Sequence, residues 1–113
     1  MNPSAVRSRG RRALLALAVA LVASGAPAAT VVVEIRDYKF VPQTLSVKTG
    51  TTVRWVNAEK RTTHTVQFAG PGAVESDRLF PGDQWERTFD KPGTYSYSCG
   101  PHPEMKGSVE VTD

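Results

Sequence analysis

Gly93-Thr94-Tyr95-Ser96-Tyr97-Ser98-Cys99-Gly100-Pro101-His102-Pro103-Glu104-Met105 decides how this chain folds. In the first half, Tyr95, Tyr97 and Cys99 alternate with Thr94, Ser96 and Ser98, the period-two pattern of a strand with one face in a core. The second half ends that strand. Pro101 and Pro103 fix their own φ and lack an N–H, and residues before proline avoid the helical region, so Gly100 and His102 should be extended. A strand running into a short, stiff loop is the expectation. Cys99, His102 and Met105 follow one another there at three-residue steps.

The same alternation recurs on both sides of this stretch. Val31, Val33 and Ile35 alternate with Val32, Glu34 and Arg36; Leu45 and Val47 with Ser46 and Lys48; Val53 and Trp55 flank Arg54. Val66 and Phe68 flank Gln67, Trp85 and Phe89 alternate with Glu86 and Thr88, and Val109 and Val111 flank Glu110. Turn chemistry separates the runs at Lys48-Thr49-Gly50, Gly70-Pro71-Gly72, Pro81-Gly82-Asp83 and Lys91-Pro92-Gly93. Short strands at such intervals, with no helical periodicity or internal repeat, predict an all-β sandwich or barrel. His64 shares a face with Val66 and Phe68, and Cys99 with Tyr95 and Tyr97, so both should point inward at one end.

The first 28 of the 113 residues read differently. Arg7, Arg9, Arg11 and Arg12 precede an uncharged run from Ala13 to Ala23, and Ala26-Pro27-Ala28 offers small residues for cleavage. This is the pattern of a secretory signal, and the apolar run is shorter than the roughly 20 residues of a membrane span. Residues 1–28 are therefore expected to be a cleaved signal peptide, residues 29–113 one domain, and the mature protein free of stable membrane insertion. Taking those four arginines from 14 basic residues leaves 10 against 11 acidic ones, so the formal +3 becomes −1. No basic patch remains to suggest nucleic acid.

The exported part holds one cysteine, which cannot form an internal disulfide and should be a ligand, a reactive thiol or an intermolecular bridge. Alone, Cys99 reads as a small buried hydrophobe, His64 as a hydrogen-bonded strand-end residue and Met105 as core filler. Together, two histidines, a cysteine and a methionine are the donors of a blue-copper electron-transfer site. A structural zinc site favours four Cys or His ligands. A Cys-His nucleophilic pair would need an orienting residue and an oxyanion site, and no motif for either is present. Since Pro101 cannot donate to the Cys99 sulfur, the N–H of Thr65 is the expected donor.

On the run from Gly93 to Cys99, the Cys-x-Pro-His loop, the Cys-x-x-His-Pro-x-Met spacing and the upstream His64, the mature region resembles the cupredoxins of the amicyanin and plastocyanin branch. The resemblance implies a Greek-key β-sandwich holding one type 1 copper, with His64, Cys99 and His102 as equatorial ligands and Met105 as the weak axial one. It implies a monomeric, periplasmic, non-enzymatic carrier of single electrons. Its partners would be redox proteins (a dehydrogenase, a cytochrome or an oxidase) docking transiently near His102, with Pro101, Pro103 and Phe80 around that port. A periplasmic copper chaperone or scavenger is the alternative. Two positions depart from the family: Thr65 stands where Asn usually follows the first histidine, and Ser98 where plastocyanin has a Tyr before the cysteine, so no remote aromatic port is expected.

Overall fold

The alternation on which the sequence reading rests becomes eight strands: β1 (Thr30–Arg36), β2 (Lys39–Val41), β3 (Thr44–Lys48), β4 (Thr51–Asn57), β5 (Gln67–Phe68), β6 (Gln84–Phe89), β7 (Gly93–Ser98) and β8 (Lys106–Thr112). The computed structural model describes residues 29–70 and 73–113. The expected signal segment lies outside these residues, as do Pro71 and Gly72 of the Gly-Pro-Gly turn. Two four-stranded sheets, ordered β2-β1-β4-β6 and β3-β8-β7-β5, form a Greek-key sandwich, and no helix occurs among the described residues. Both sheets are mixed, because β1 runs parallel to β4 and β3 parallel to β8.

The inner faces follow the period-two pattern. β4 buries Thr51, Val53, Trp55 and Asn57, and Val33 and Ile35 of β1 and Val109 and Val111 of β8 are equally enclosed. Trp55 is fully buried and meets Phe68 and Tyr97 edge-to-face, with ring centroids 5.8 and 5.4 Å away. Burial pushes the Tyr97 phenol up to about 12. Gly107 lets β8 pass beneath that ring, since a Cβ there would lie 2.5 Å from it. Arg87 of β6 reaches across to the other sheet, its guanidinium 4.4 Å from the Phe68 centroid and 5.3 Å from that of Tyr95.

Two features of this frame prepare the site. The first is Asn57, 1% exposed at the end of β4. Its amide donates to the carbonyls of Thr62 and Leu79, each at 2.9 Å, and its Oδ1 accepts the Glu59 N–H at 2.9 Å. One side chain thereby shapes the whole connection that delivers His64. The second is the two-residue hairpin between β1 and β2. Asp37 and Tyr38 have φ of 54° and 58° there, the pair of positive values that a type I′ turn requires. Left-handed backbone costs residues other than glycine about 1–2 kcal/mol each.

Candidate metal centre

Cys99 follows β7 directly, and the loop after it is made of two successive turns. The His102 N–H donates to the Cys99 carbonyl at 3.2 Å, and the Met105 N–H to the His102 carbonyl at 2.9 Å. In the second turn Pro103 occupies the position after the first residue, which its fixed φ suits. The three-residue steps of the sequence are thus the steps of two linked turns, with Cys99, His102 and Met105 at their corners. The Cys99 N–H closes the loop by donating to the Met105 carbonyl at 3.1 Å.

His64 reaches the same place from the long connection between β4 and β5. It lies outside any strand and exchanges backbone hydrogen bonds with Leu79 at 3.1 and 2.8 Å. The strand expected through His64 is therefore an isolated bridge, and the Asn57 amide ties down the Thr62 and Leu79 carbonyls on either side of it. Inward orientation is retained: His64 and Cys99 are both 0% exposed, with Val66, Phe68 and Tyr97 buried alongside and Tyr95 half-buried.

The donor atoms of His64, Cys99 and His102 all lie within 4.8 Å of one another. Both imidazoles turn Nδ1 toward the sulfur, at 3.5 Å from His64 and 3.6 Å from His102. Met105 is buried at the end of the loop, whereas His102 is partly exposed between the exposed Pro101 and Pro103. One thiol, two imidazoles with Nδ1 facing it and a neighbouring thioether fit copper in both donor chemistry and convergence.

The polar surroundings orient these groups. His64 Nε2 is 3.1 Å from Glu59 Oε2, so the ring donates its proton there and leaves Nδ1 free to face the sulfur. Burial lowers the His64 pKa, and Glu59 opposes that shift by hydrogen bond and charge. Burial works to raise the Glu59 pKa, but the Tyr38 N–H and His64 together hold it below the usual carboxylate value. Thr65 links the two ligand segments twice. Its N–H points at the Cys99 sulfur from 3.4 Å, the donor expected from the sequence. Its hydroxyl accepts the Gly100 N–H and donates to Glu75 Oε2, both at 2.9 Å. Gly100 leaves room for this, since a Cβ would approach those two oxygens to 2.9 and 2.6 Å.

Four contributors were not found by sequence reading: Asn57, Glu59, Glu75 and Tyr38. Tyr38 stands edge-on to both imidazoles, with centroids 5.5 Å from His64 and 4.9 Å from His102. Phe80, expected near the port, is 56% exposed and follows Leu79, the bridging partner of His64. Trp55 and Trp85 belong to the aromatic packing of the core.

The profile of the copper-binding proteins of the plastocyanin/azurin family matches residues 27–112. This chain belongs to that family. It is 41% identical over 90 residues to amicyanin-alpha of Methylorubrum extorquens, covering 76% of this chain and 75% of the relative. It is 39% identical over 98 residues to amicyanin of Paracoccus denitrificans, covering 83% and 71%. A Cu(I) structure of an amicyanin variant superposes with a TM-score of 0.69 at 35% identity, over 73% of this chain and 81% of that one. The fold is that of a cupredoxin, the cofactor is copper at a type 1 site, and the protein is an electron-transfer copper protein, not an enzyme.

Proposed function

We propose that this protein carries single electrons between redox proteins in the periplasm, with His64, Cys99 and His102 as equatorial copper ligands and Met105 as the weak axial one. The observation that carries this reading is the convergence of the three donor atoms within 4.8 Å from two segments 35 residues apart. Bound there, copper supplies a Cu(I)/Cu(II) couple. The chain supplies the rest. Glu59 fixes the tautomer of His64, the Thr65 N–H stabilises charge on the sulfur, and two linked turns hold the loop ligands in one arrangement. Because His64 and Cys99 are fully enclosed and His102 is partly exposed, His102 is the outlet toward a dehydrogenase, cytochrome or oxidase.

A chaperone hands over its metal and needs ligands a partner can reach; two enclosed donors favour the carrier instead. Residues 1–28 serve as the signal peptide that exports the monomeric domain, a role supported by their arginines, short apolar run and Ala-Pro-Ala site. Adding Cu(II) to the metal-free protein should give an intense blue thiolate-to-copper band that saturates at one copper per chain, with reversible voltammetry. A colourless, loosely held metal would refute the carrier. Finding the full-length chain in the cytoplasm would refute the export assignment separately.

A further inference from the structure

We propose that Tyr38 is a positioning residue of the metal centre, whose ring holds His102 in its metal-facing orientation and shields both imidazoles from solvent. The inference rests on the copper-site reading above and adds to it a residue outside the four ligands. Tyr38 is 49% exposed, yet both its backbone and its side chain are held by hydrogen bonds. A tyrosine occupies the left-handed position of the hairpin, at φ 58°, where glycine or asparagine is the ordinary choice.

Two hydrogen bonds hold it there. The N–H donates to Glu59 Oε2 at 2.9 Å, and the same oxygen meets His64 Nε2 at 3.1 Å. The hydroxyl lies 3.2 Å from Thr62 Oγ1, on the connection leading to His64. Between these anchors the ring stands at 87° to His64 and 80° to His102, an edge-to-face arrangement with each. The hairpin, the His64 connection and the Cys99 loop thus meet at one side chain.

Tyr38 also lines a cavity of about 230 Å³, together with Phe40, Gln43, Met105 and Lys106 among others. His102 has no hydrogen-bonded carboxylate comparable to Glu59 on His64, so among the described residues the tyrosine is its aromatic support.

Tyr38→Gly and Tyr38→Phe separate this role from a structural one. Glycine suits the positive φ, so the first variant keeps the hairpin while deleting the ring. In the Tyr38→Gly protein, copper release to a chelator should accelerate about two- to tenfold, the range carried by one edge-to-face aromatic pair. In its metal-free form the His102 ring resonances should broaden or shift while those of Val109 and Val111 stay in place. Tyr38→Phe should restore both readouts most of the way, because it keeps the ring and loses only the Thr62 bond. Unchanged release and unchanged His102 resonances in Tyr38→Gly would overturn the proposal. So would a Tyr38→Phe protein that behaves like Tyr38→Gly, which would assign the effect to the hydroxyl. A wild-type protein that never turns blue would instead sink the copper reading, before either variant is compared.

Discussion

Residues 99–105 and residues 57–64 deliver side chains to the same point by different means. The first segment is short and works by spacing: two linked turns place Cys99, His102 and Met105 at their corners. The second is longer and carries a single proposed ligand, His64, placed by two side chains outside the proposed ligand set: Asn57 from within the core and Glu59 from beside the ring. A ligand loop can therefore be compact and locally encoded while its counterpart depends on buried polar groups. Damage to the first should remove the chemistry and leave the fold; damage to the second should weaken the fold and the chemistry together.

Cys99→Ala is the sharpest cut. It deletes the sulfur that both Nδ1 atoms face and removes one small buried side chain. The blue band should be lost completely, while far-ultraviolet circular dichroism retains the β spectrum. A blue Cys99→Ala protein would contradict the assignment of the thiolate.

Asn57→Ala should show the opposite signature. It removes two donors and one acceptor: the Thr62 carbonyl and the Glu59 N–H lose a partner, and the Leu79 carbonyl keeps only the His64 N–H. Each of the three lost hydrogen bonds is worth about 1 kcal/mol net, so a stability loss of about 3 kcal/mol is expected in urea unfolding. The remaining folded protein should bind copper more weakly, because His64 loses its backbone template. A loss below about 1 kcal/mol, the size of an ordinary surface substitution, would mean the connection shapes itself without Asn57.

Glu59 links that connection to pH. Its lowered pKa means the folded state keeps the carboxylate ionised, contributing stability above the usual 4.5 that is lost as pH falls through the lowered value. His64, lowered mainly by burial, binds protons more readily when unfolded, so stability also drains as pH falls below the usual 6.5. Both act in the same direction, and the metal-free protein should weaken in two stages on acidification. Glu59→Gln should remove the lower stage. At neutral pH it should cost about 1 kcal/mol, the difference between a charged and a neutral hydrogen bond. Urea midpoints from neutral to acid pH would check both stages; a mutant with the wild-type profile would exclude Glu59 from the linkage.

The two segments also differ in how legible they were in the sequence. Three-residue steps and two prolines are local signals, so the short loop over residues 99–105 could be read directly. β1, β4, β7 and β8 were equally plain, because alternation needs only neighbouring residues. Alternation looks the same in either direction, however, so the parallel pairings β1·β4 and β3·β8 left no trace in the pattern. β2, with three residues, is too short to alternate visibly. Asn57 follows an alternating run, and nothing in its neighbours marks it as a buried anchor. Tyr38 sits in a turn whose Asp-Tyr pair lacks the glycine or asparagine that announces type I′, so its meeting with His64 and His102 depended on an unadvertised backbone conformation.

Thr65 ties the two segments together, and its two links can be separated. The N–H toward the Cys99 sulfur belongs to the backbone and survives any side-chain replacement short of proline. The hydroxyl between Gly100 and Glu75 does not. Thr65→Val keeps the shape but leaves the Gly100 N–H without its acceptor and Glu75 without a donor, whereas Thr65→Ser keeps both bonds. The valine variant should be about 1 kcal/mol less stable than the serine variant, the net worth of a typical hydrogen bond. Its Gly100 amide should exchange with solvent faster, while the blue band persists because the sulfur keeps its backbone donor. Equal stabilities and equal Gly100 exchange would mean that the clasp is geometric coincidence, and that the N–H to sulfur alone joins the loop to the His64 connection.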